Sequence, residues 1–255
     1  MGDGQVPSTI VTTVLAIQND PTDPPLMLGD WLAEVDVQIT VIEAWNGAPV
    51  PRQVPDGIAG IVPLGGVMGA MDDDVAPWLP DERALLVDAV ERGIPVLGIC
   101  LGGQLLAAAL GGRVTLGPAT EIGVVDVQLT AEGLADPVLS QAIPASGVNI
   151  PAAQWHQDNI VDLPDGAVLL LTNPACRVQG YRVGASAYGL QLHPELDCAT
   201  FAEWTAESGD EALQRSGVSA GQANATMQAA EPNLIRAWRP VSHAWAALVR
   251  RHAHT

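Results

Sequence analysis

The chain has 255 residues, 48% of them apolar and only 4% aromatic, with a formal net charge of −18. That length supports one large α/β core spanning residues 1–255 and leaves no room for a second full domain, while the acidic balance makes a phosphate backbone a poor partner, so no nucleic acid is expected. All 11 basic residues are Arg and no Lys occurs, which excludes Schiff-base chemistry and a phosphate-loop lysine.

Met1 to Ser8 carries neither the basic nor the apolar region of a signal peptide, and no apolar run approaches the length of a membrane span. Cys100, Cys176 and Cys198 are odd in number and irregular in spacing, which fits a reducing compartment better than a disulfide framework. The expected setting is the cytoplasm, without a membrane partner.

In chain order, β-branched apolar runs at Thr9 to Ile17, Val35 to Ile42, Gly57 to Leu64 and Ile94 to Ile99 predict buried strands. Between the last two, Leu85, Leu86, Ala89 and Val90 recur at helical spacing and predict a helix over Pro80 to Arg92. A further helix, Leu101 to Leu110, ends at Gly111-Gly112, a pair suited to a helix C-terminus. This alternation predicts a mostly parallel sheet covered by helices on both faces. Shorter strand-like pieces follow at Glu121 to Leu129, Ala167 to Leu171 and Tyr188 to Leu192, and predict a small antiparallel or mixed extension. From Asp197 the chain reads as helical, with a break near Glu207 to Gly221 and a final amphipathic stretch from about Asn233 to Arg251. Asp72-Asp73-Asp74 reads as a solvated turn rather than a metal site.

The segment Gly98-Ile99-Cys100-Leu101-Gly102 sits where a buried strand runs into a helix, with a glycine two residues either side of the cysteine. A sharp strand-to-helix turn of this kind exposes one nucleophile and lets neighbouring backbone approach it. A thiol there feels the partial positive charge of unpaired amides, which favours the thiolate. The Leu101 N–H is then placed to receive an oxyanion, and Gln104, one helical turn on, shares the cysteine's face.

Of five histidines, His243, His252 and His254 fall in the C-terminal helix or tail. His193 ends an apolar strand in Leu190-Gln191-Leu192-His193-Pro194-Glu195, and residues two apart in extended chain point the same way, so Glu195 can fix the tautomer of His193. His156 and Asp158 form no convincing metal set, and His156 reads as a wall of the substrate pocket. Cys176 and Cys198 read as structural thiols, and Ser186 lacks the second glycine of a serine elbow.

The elbow GICLGGQLLAAALGG together with LQLHPE resembles the class I, triad-type glutamine amidotransferases, within them the subgroup similar to the amidotransferase domain of GMP synthase. Leu64-Gly65-Gly66, Gly117-Pro118 leading to Glu121-Ile122-Gly123, and Gln154-Trp155-His156-Gln157-Asp158 match in family order. The resemblance implies a flavodoxin-like fold, with Cys100 as nucleophile, His193 as general base and acid, and Glu195 orienting the histidine. It also implies oxyanion-hole amides at Gly66 and Leu101, and substrate contacts at Gly65, Gln104, Trp155 and His156. No metal or organic cofactor is implied. Relatives commonly have Pro where this chain has Val67, so the backbone of the oxyanion loop is less constrained here. Since no synthetase signature follows Glu195, two readings stand: a glutaminase that passes ammonia to a separate synthase, and a γ-glutamyl peptide or γ-glutamyl amine hydrolase.

Overall fold

The computed structural model describes residues 11–142, 149–207 and 210–254. Met1 to Ser8, the first two residues of the strand expected from Thr9, and two residues of the break expected after Glu207 lie outside them.

One nine-stranded sheet organises these residues, in the order β2-β1-β3-β4-β9-β8-β7-β5-β6. Five strands run parallel: β2 (Val37–Glu43), β1 (Thr12–Gln18), β3 (Ile58–Pro63), β4 (Val96–Ile99) and β9 (Ala187–Leu190). From β9 the sheet continues antiparallel through β8 (Gly180–Val183), β7 (Val168–Thr172), β5 (Arg113–Leu129) and β6 (Asn149–Asp162). The fold is thus the expected flavodoxin-like α/β arrangement, a parallel core with an antiparallel extension.

The central strands read as unbroken apolar runs because both faces are covered. Along β1, Val14 and Ala16 point into one core, while Leu15 and Ile17 point into the other. The first core is closed by α1 (Leu26–Ala33), through Leu28, Trp31 and Leu32, and by the long α7 (Ala220–Ala253). The second is closed by α2 (Leu79–Glu91) and α3 (Leu101–Ala109). Gly111, at φ +90, ends α3, and the Gly112 N–H donates to Ala107 O at 2.8 Å.

The C-terminal helix begins earlier than its amphipathic signal: α7 runs for 34 residues and carries Pro232 and Pro240 within it. Ser219 caps it by accepting from Gln222 N, and two buried tryptophans tie it to the sheet. Trp238 donates to Pro151 O at 2.8 Å and Trp245 to Val96 O at 3.2 Å. These anchors hold the helix where propensity alone would let the prolines break it. Strands β6 and β8 and helix α1 are not among the expected elements; α1 is only 8 residues long, although its buried Leu28, Trp31 and Leu32 do recur at helical spacing. Among the described residues no helix is long and apolar enough to cross a membrane.

Helix α3 lies almost on the sheet. A Cβ on Gly102 would stand 2.0 Å from Pro63 O, and one on Gly103 2.6 Å from Leu190 O, both backbone atoms that cannot turn aside. Gly102→Ala should therefore push α3 outward and destabilise the fold by roughly 1–3 kcal/mol or more, measured as a lower urea midpoint. An unchanged midpoint would mean that the helix has slack.

A second buried feature predicts a pH effect. Glu82 in α2 is wholly buried; Oε1 accepts from Asn19 Nδ2 at 3.3 Å, whereas no hydrogen bond reaches Oε2. Burial, only partly offset by Asn19 and Arg83, raises its pKa from 4.5 to about 8. A raised folded-state value favours the protonated form, so stability is full in acid and falls as pH climbs from 4.5 to about 8. Glu82→Gln should raise the melting temperature by several degrees at pH 9 and change it little at pH 4. Equal effects at both pH values would refute the assignment.

Candidate active site

The loops that follow β1, β3, β4 and β9 gather at one edge of the sheet, the carboxyl ends of the parallel strands, where open α/β sheets place their ligands. Cys100 is the residue between β4 and α3, held at φ 49 and ψ −107. That conformation is strained for a residue with a side chain. It is held by a bond from Cys100 N to Leu190 O (2.8 Å) and one from Gln104 N to Cys100 O (3.0 Å). The thiol lies 3.8 Å from Trp155 O, to which it can donate, and 3.8 Å from Gln191 Nε2, from which it can accept.

His193 follows β9, and its backbone N–H donates to Ala153 O of β6 at 2.9 Å, so the antiparallel half of the sheet positions it. Its ring Nδ1 is 2.7 Å from Glu195 Oε1, both side chains being buried. Cys100 lines the same cavity and acts electrostatically on this ring. Burial opposes charge on this imidazole, but Glu195 and then Cys100 outweigh it and hold its pKa well above the ordinary 6.5. The edge of Trp204 from α5 (Cys198–Glu207) packs on the ring, with centroids 5.0 Å apart.

A cavity of about 1000 Å³ opens over this group, and Cys100, His193, Gly66, Gln104, Trp155 and His156 line it. Glu195 stands behind His193, fully buried. Gly66 adjoins the Leu101 side chain: a Cβ on the glycine would lie 3.0 Å from Leu101 Cδ2. Gly65 also stands behind the wall, against Asp23 and His193, and a Cβ there would fall 1.9 Å from Asp23 Oδ2. Val67, next to Gly66, is 87% exposed.

The expected substrate contacts differ in how free they are. Gln104 donates from Nε2 to Asp158 O (3.1 Å) and Gln191 Oε1 (3.2 Å), which uses both amide hydrogens and leaves its carbonyl oxygen for a ligand. Trp155 packs edge-on against Phe201 and Trp204. The His156 ring is held between Asp158 O and Glu121 Oε2, each at 3.1 Å.

Cys176 also meets this network. Its sulfur, Glu121 and His156 offer atoms within 4.8 Å of one another, a proximity that the sequence spacing hid. The Glu121 oxygens accept from Asn173 and Gln179, each at 2.7 Å, and one of them meets His156 at 3.1 Å. Asp72 accepts from Gly69 N and Asp73 pairs with Arg83, so the acidic run forms a turn. His243 lies in α7 beside Glu34, and Ser186 donates to Gly93 O.

Sequence reasoning missed Asp23, in the loop after β1. It is 3% exposed and lines the cavity beside His193. The position rule for parallel strands was the one signal that could have found it.

The three thiols differ in setting. Burial first raises Cys176 and Cys198 to about 12, so at pH 8 each is thiolate in roughly one molecule in ten thousand. Iodoacetamide at that pH should modify Cys100, at the cavity beside an imidazole, before either of them, as read by peptide mass spectrometry. A dominant adduct on Cys176 or Cys198 would contradict this order.

Comparison with known proteins bears on the family and the fold. The family model described as glutamine amidotransferase class-I matches residues 27–207. The chain is 40% identical over 110 residues to a glutamine-hydrolyzing GMP synthase subunit of Natronomonas pharaonis, covering 42% of this chain and 55% of that one. It thus spans little more than half of that relative's length. The corresponding GMP synthase subunit of Methanoculleus marisnigri is 33% identical over 169 residues, covering 65% of this chain and 79% of that one. The crystal structure of a glutamine amidotransferase from Methylobacillus flagellatus superposes with a TM-score of 0.81 at 29% identity, covering 93% of this chain and 95% of that one. The chain belongs to the class I glutamine amidotransferase family, of the type similar to GMP synthase.

Proposed function

We propose that this chain, a single domain working in the cytoplasm, hydrolyses the γ-amide of glutamine through Cys100, His193 and Glu195 and delivers the ammonia to a separate synthase. The observation that carries the reading is the contact of 2.7 Å between His193 Nδ1 and Glu195 Oε1, with a conformationally strained Cys100 lining the same cavity as His193. Glu195 accepts from Nδ1–H and so keeps Nε2 for chemistry at the thiol. The Cys100 thiolate adds to the amide carbon, and the displaced electron pair rests on an oxyanion bound by the N–H groups of Gly66 and Leu101. The His193 Nε2 proton passes to the leaving nitrogen as the C–N bond breaks. Water then gives a proton to His193 while its oxygen attacks the thioester, and the C–S bond breaks to return the thiolate. Gly65 would hold the oxyanion loop beside His193, while Gln104, Trp155 and His156 would wall the glutamyl moiety. The scheme calls for no metal or cofactor.

Relatives named as subunits of a glutamine-hydrolyzing GMP synthase support a partner chain. Unpaired Cys100, Cys176 and Cys198 support a reducing compartment. A second reading, hydrolysis of a γ-glutamyl amine or peptide, is favoured by the cavity itself, since about 1000 Å³ is at the upper end for small-molecule sites and exceeds what glutamine fills.

Glutamate release from glutamine and from a panel of γ-glutamyl compounds separates the two readings. Turnover of glutamine should fall at least about a thousandfold in Cys100→Ser. Restraint in the oxyanion loop would keep the lone chain on the order of a hundredfold to a thousandfold below its partnered rate. Release that survives Cys100→Ser would refute the mechanism. Robust Cys100-dependent cleavage of a γ-glutamyl peptide with negligible glutamine turnover would replace the first reading with the second.

A further inference from the structure

Asp23 is buried beside the candidate triad, yet the proposed reaction gives it no part. An Asp23 carboxylate oxygen, a His193 ring nitrogen and a Glu195 carboxylate oxygen all lie within 4.8 Å of one another. Asp23 Oδ1 has no hydrogen-bond partner among the described residues, and neither does Glu195 Oε2. Two solvent-excluded carboxyl oxygens without donors are costly as a pair of anions, and a proton on one of them relieves the strain.

The surrounding structure holds Asp23 in this place. Asp20 Oδ1 accepts from Thr22 N at 2.9 Å and from Thr22 Oγ1 at 2.7 Å, and Asp23 N donates to Asp20 O, which turns the loop inward. Trp204, whose ring packs on His193, donates Nε1–H to Thr22 O at 3.0 Å. Just beyond the loop, Met27 N donates to Glu195 O at 3.1 Å. Gly65 leaves the space that Asp23 Oδ2 fills. Loop, triad segment and α5 therefore fix one another, and the carboxyl group has no freedom to swing out to solvent.

We propose that Asp23 is a positioning residue that acts through His193: its carboxyl group, by losing or keeping a proton, sets how firmly the neighbouring imidazole keeps its own. The proposal rests on the triad reading under Proposed function. The titratable groups facing Asp23 are His193 and Glu195 from the segment after β9 and Asp20 from its own loop, while Cys100 acts on the same imidazole from the start of α3. The helix packed there, α5, contributes the uncharged Trp204. Burial chiefly, helped by Glu195 and Asp20 and opposed by His193, moves the Asp23 carboxyl from 3.8 to about 7, so it changes charge in the neutral range. Ionised, Asp23 holds the imidazolium and with it the Cys100 thiolate. Protonated, it loosens that hold and lets the Nε2 proton pass to the leaving nitrogen.

The test needs no substrate. In the full chain labelled with ¹³C-histidine, only five ring signals arise, and the one missing in His193→Asn identifies His193. In the unsubstituted protein its Cε1–H shift should show a first inflection near pH 7, as Asp23 ionises, and a separate main titration well above 6.5. Asp23→Asn, nearly isosteric, should abolish the inflection and lower the main midpoint by about one pH unit or more, the effect of removing an opposite charge at this range. A single-step titration in the unsubstituted protein, or an unchanged midpoint in folded Asp23→Asn, would overturn the proposal. Should the variant not fold, the inflection in the unsubstituted chain decides alone. Kinetics separates this result from failure of the triad reading. If turnover depends on Cys100 but its pH profile is the same in Asp23→Asn, only the role of Asp23 falls; if turnover survives Cys100→Ser, the triad reading falls.

Discussion

Helix α3 runs so close to β3 and β9 that backbone atoms of Pro63 and Leu190 occupy the space where side chains of residues 102 and 103 would stand. That approach compresses the connection from β4 into a single residue, Cys100, at a positive φ. A longer connection would relax the turn and carry the thiol away from the helix start, where unpaired amides favour negative charge. The glycines are thus an electrostatic device as much as a packing one. They bring a thiol, a row of N–H groups and the Gly66 loop to one point.

The histidine reaches that point by a different route. His193 lies past the end of β9, and its position depends on β6, whose Ala153 O accepts its backbone N–H. Strand β6 also supplies Trp155 O beneath the thiol and Asp158 O for Gln104. The parallel half of the sheet therefore holds Cys100, and the antiparallel half holds what surrounds it. Neither half alone brings Cys100 and His193 to the cavity, which needs the continuous nine-stranded sheet.

Burial then sets the electrostatics. His193 and Glu195 are removed from water together, so their charges find each other rather than solvent, and the imidazole retains its proton despite the desolvation that opposes it. The acidic side chains around the cavity, Asp20, Asp72, Asp158 and Glu207, carry the strong negative charge of the whole chain to the mouth of the site. Burial, with Asp72 adding to it, raises the Asp158 carboxyl, partly offset by His156. Such an entrance attracts cations and slows anions.

What the sequence determined by itself was local. The glycine spacing about Cys100 is encoded in a short segment, because a tight turn fixes side-chain direction within a few residues. The step from His193 to Glu195 was expected in extended chain, but β9 ends at Leu190 and it is a turn at Pro194 and Glu195 that brings the carboxylate to the ring. The parallel strands were legible for a related reason: burial on both faces demands continuous apolar runs. Tertiary structure alone decided the rest. Strand β6 is rich in polar residues, and the partners of Gln154 and His156, namely Gln179 and Glu121, are distant in the chain, so no periodicity announced it. Helix α7 passes through two prolines because Trp238 and Trp245 are anchored to strands far away in sequence. Asp23 is an ordinary loop aspartate until Gly65, His193 and Glu195 close around it and remove its water. Burial is a property of the assembled fold, and a carboxyl group's proton affinity depends on burial and neighbours more than on the residues beside it in the chain.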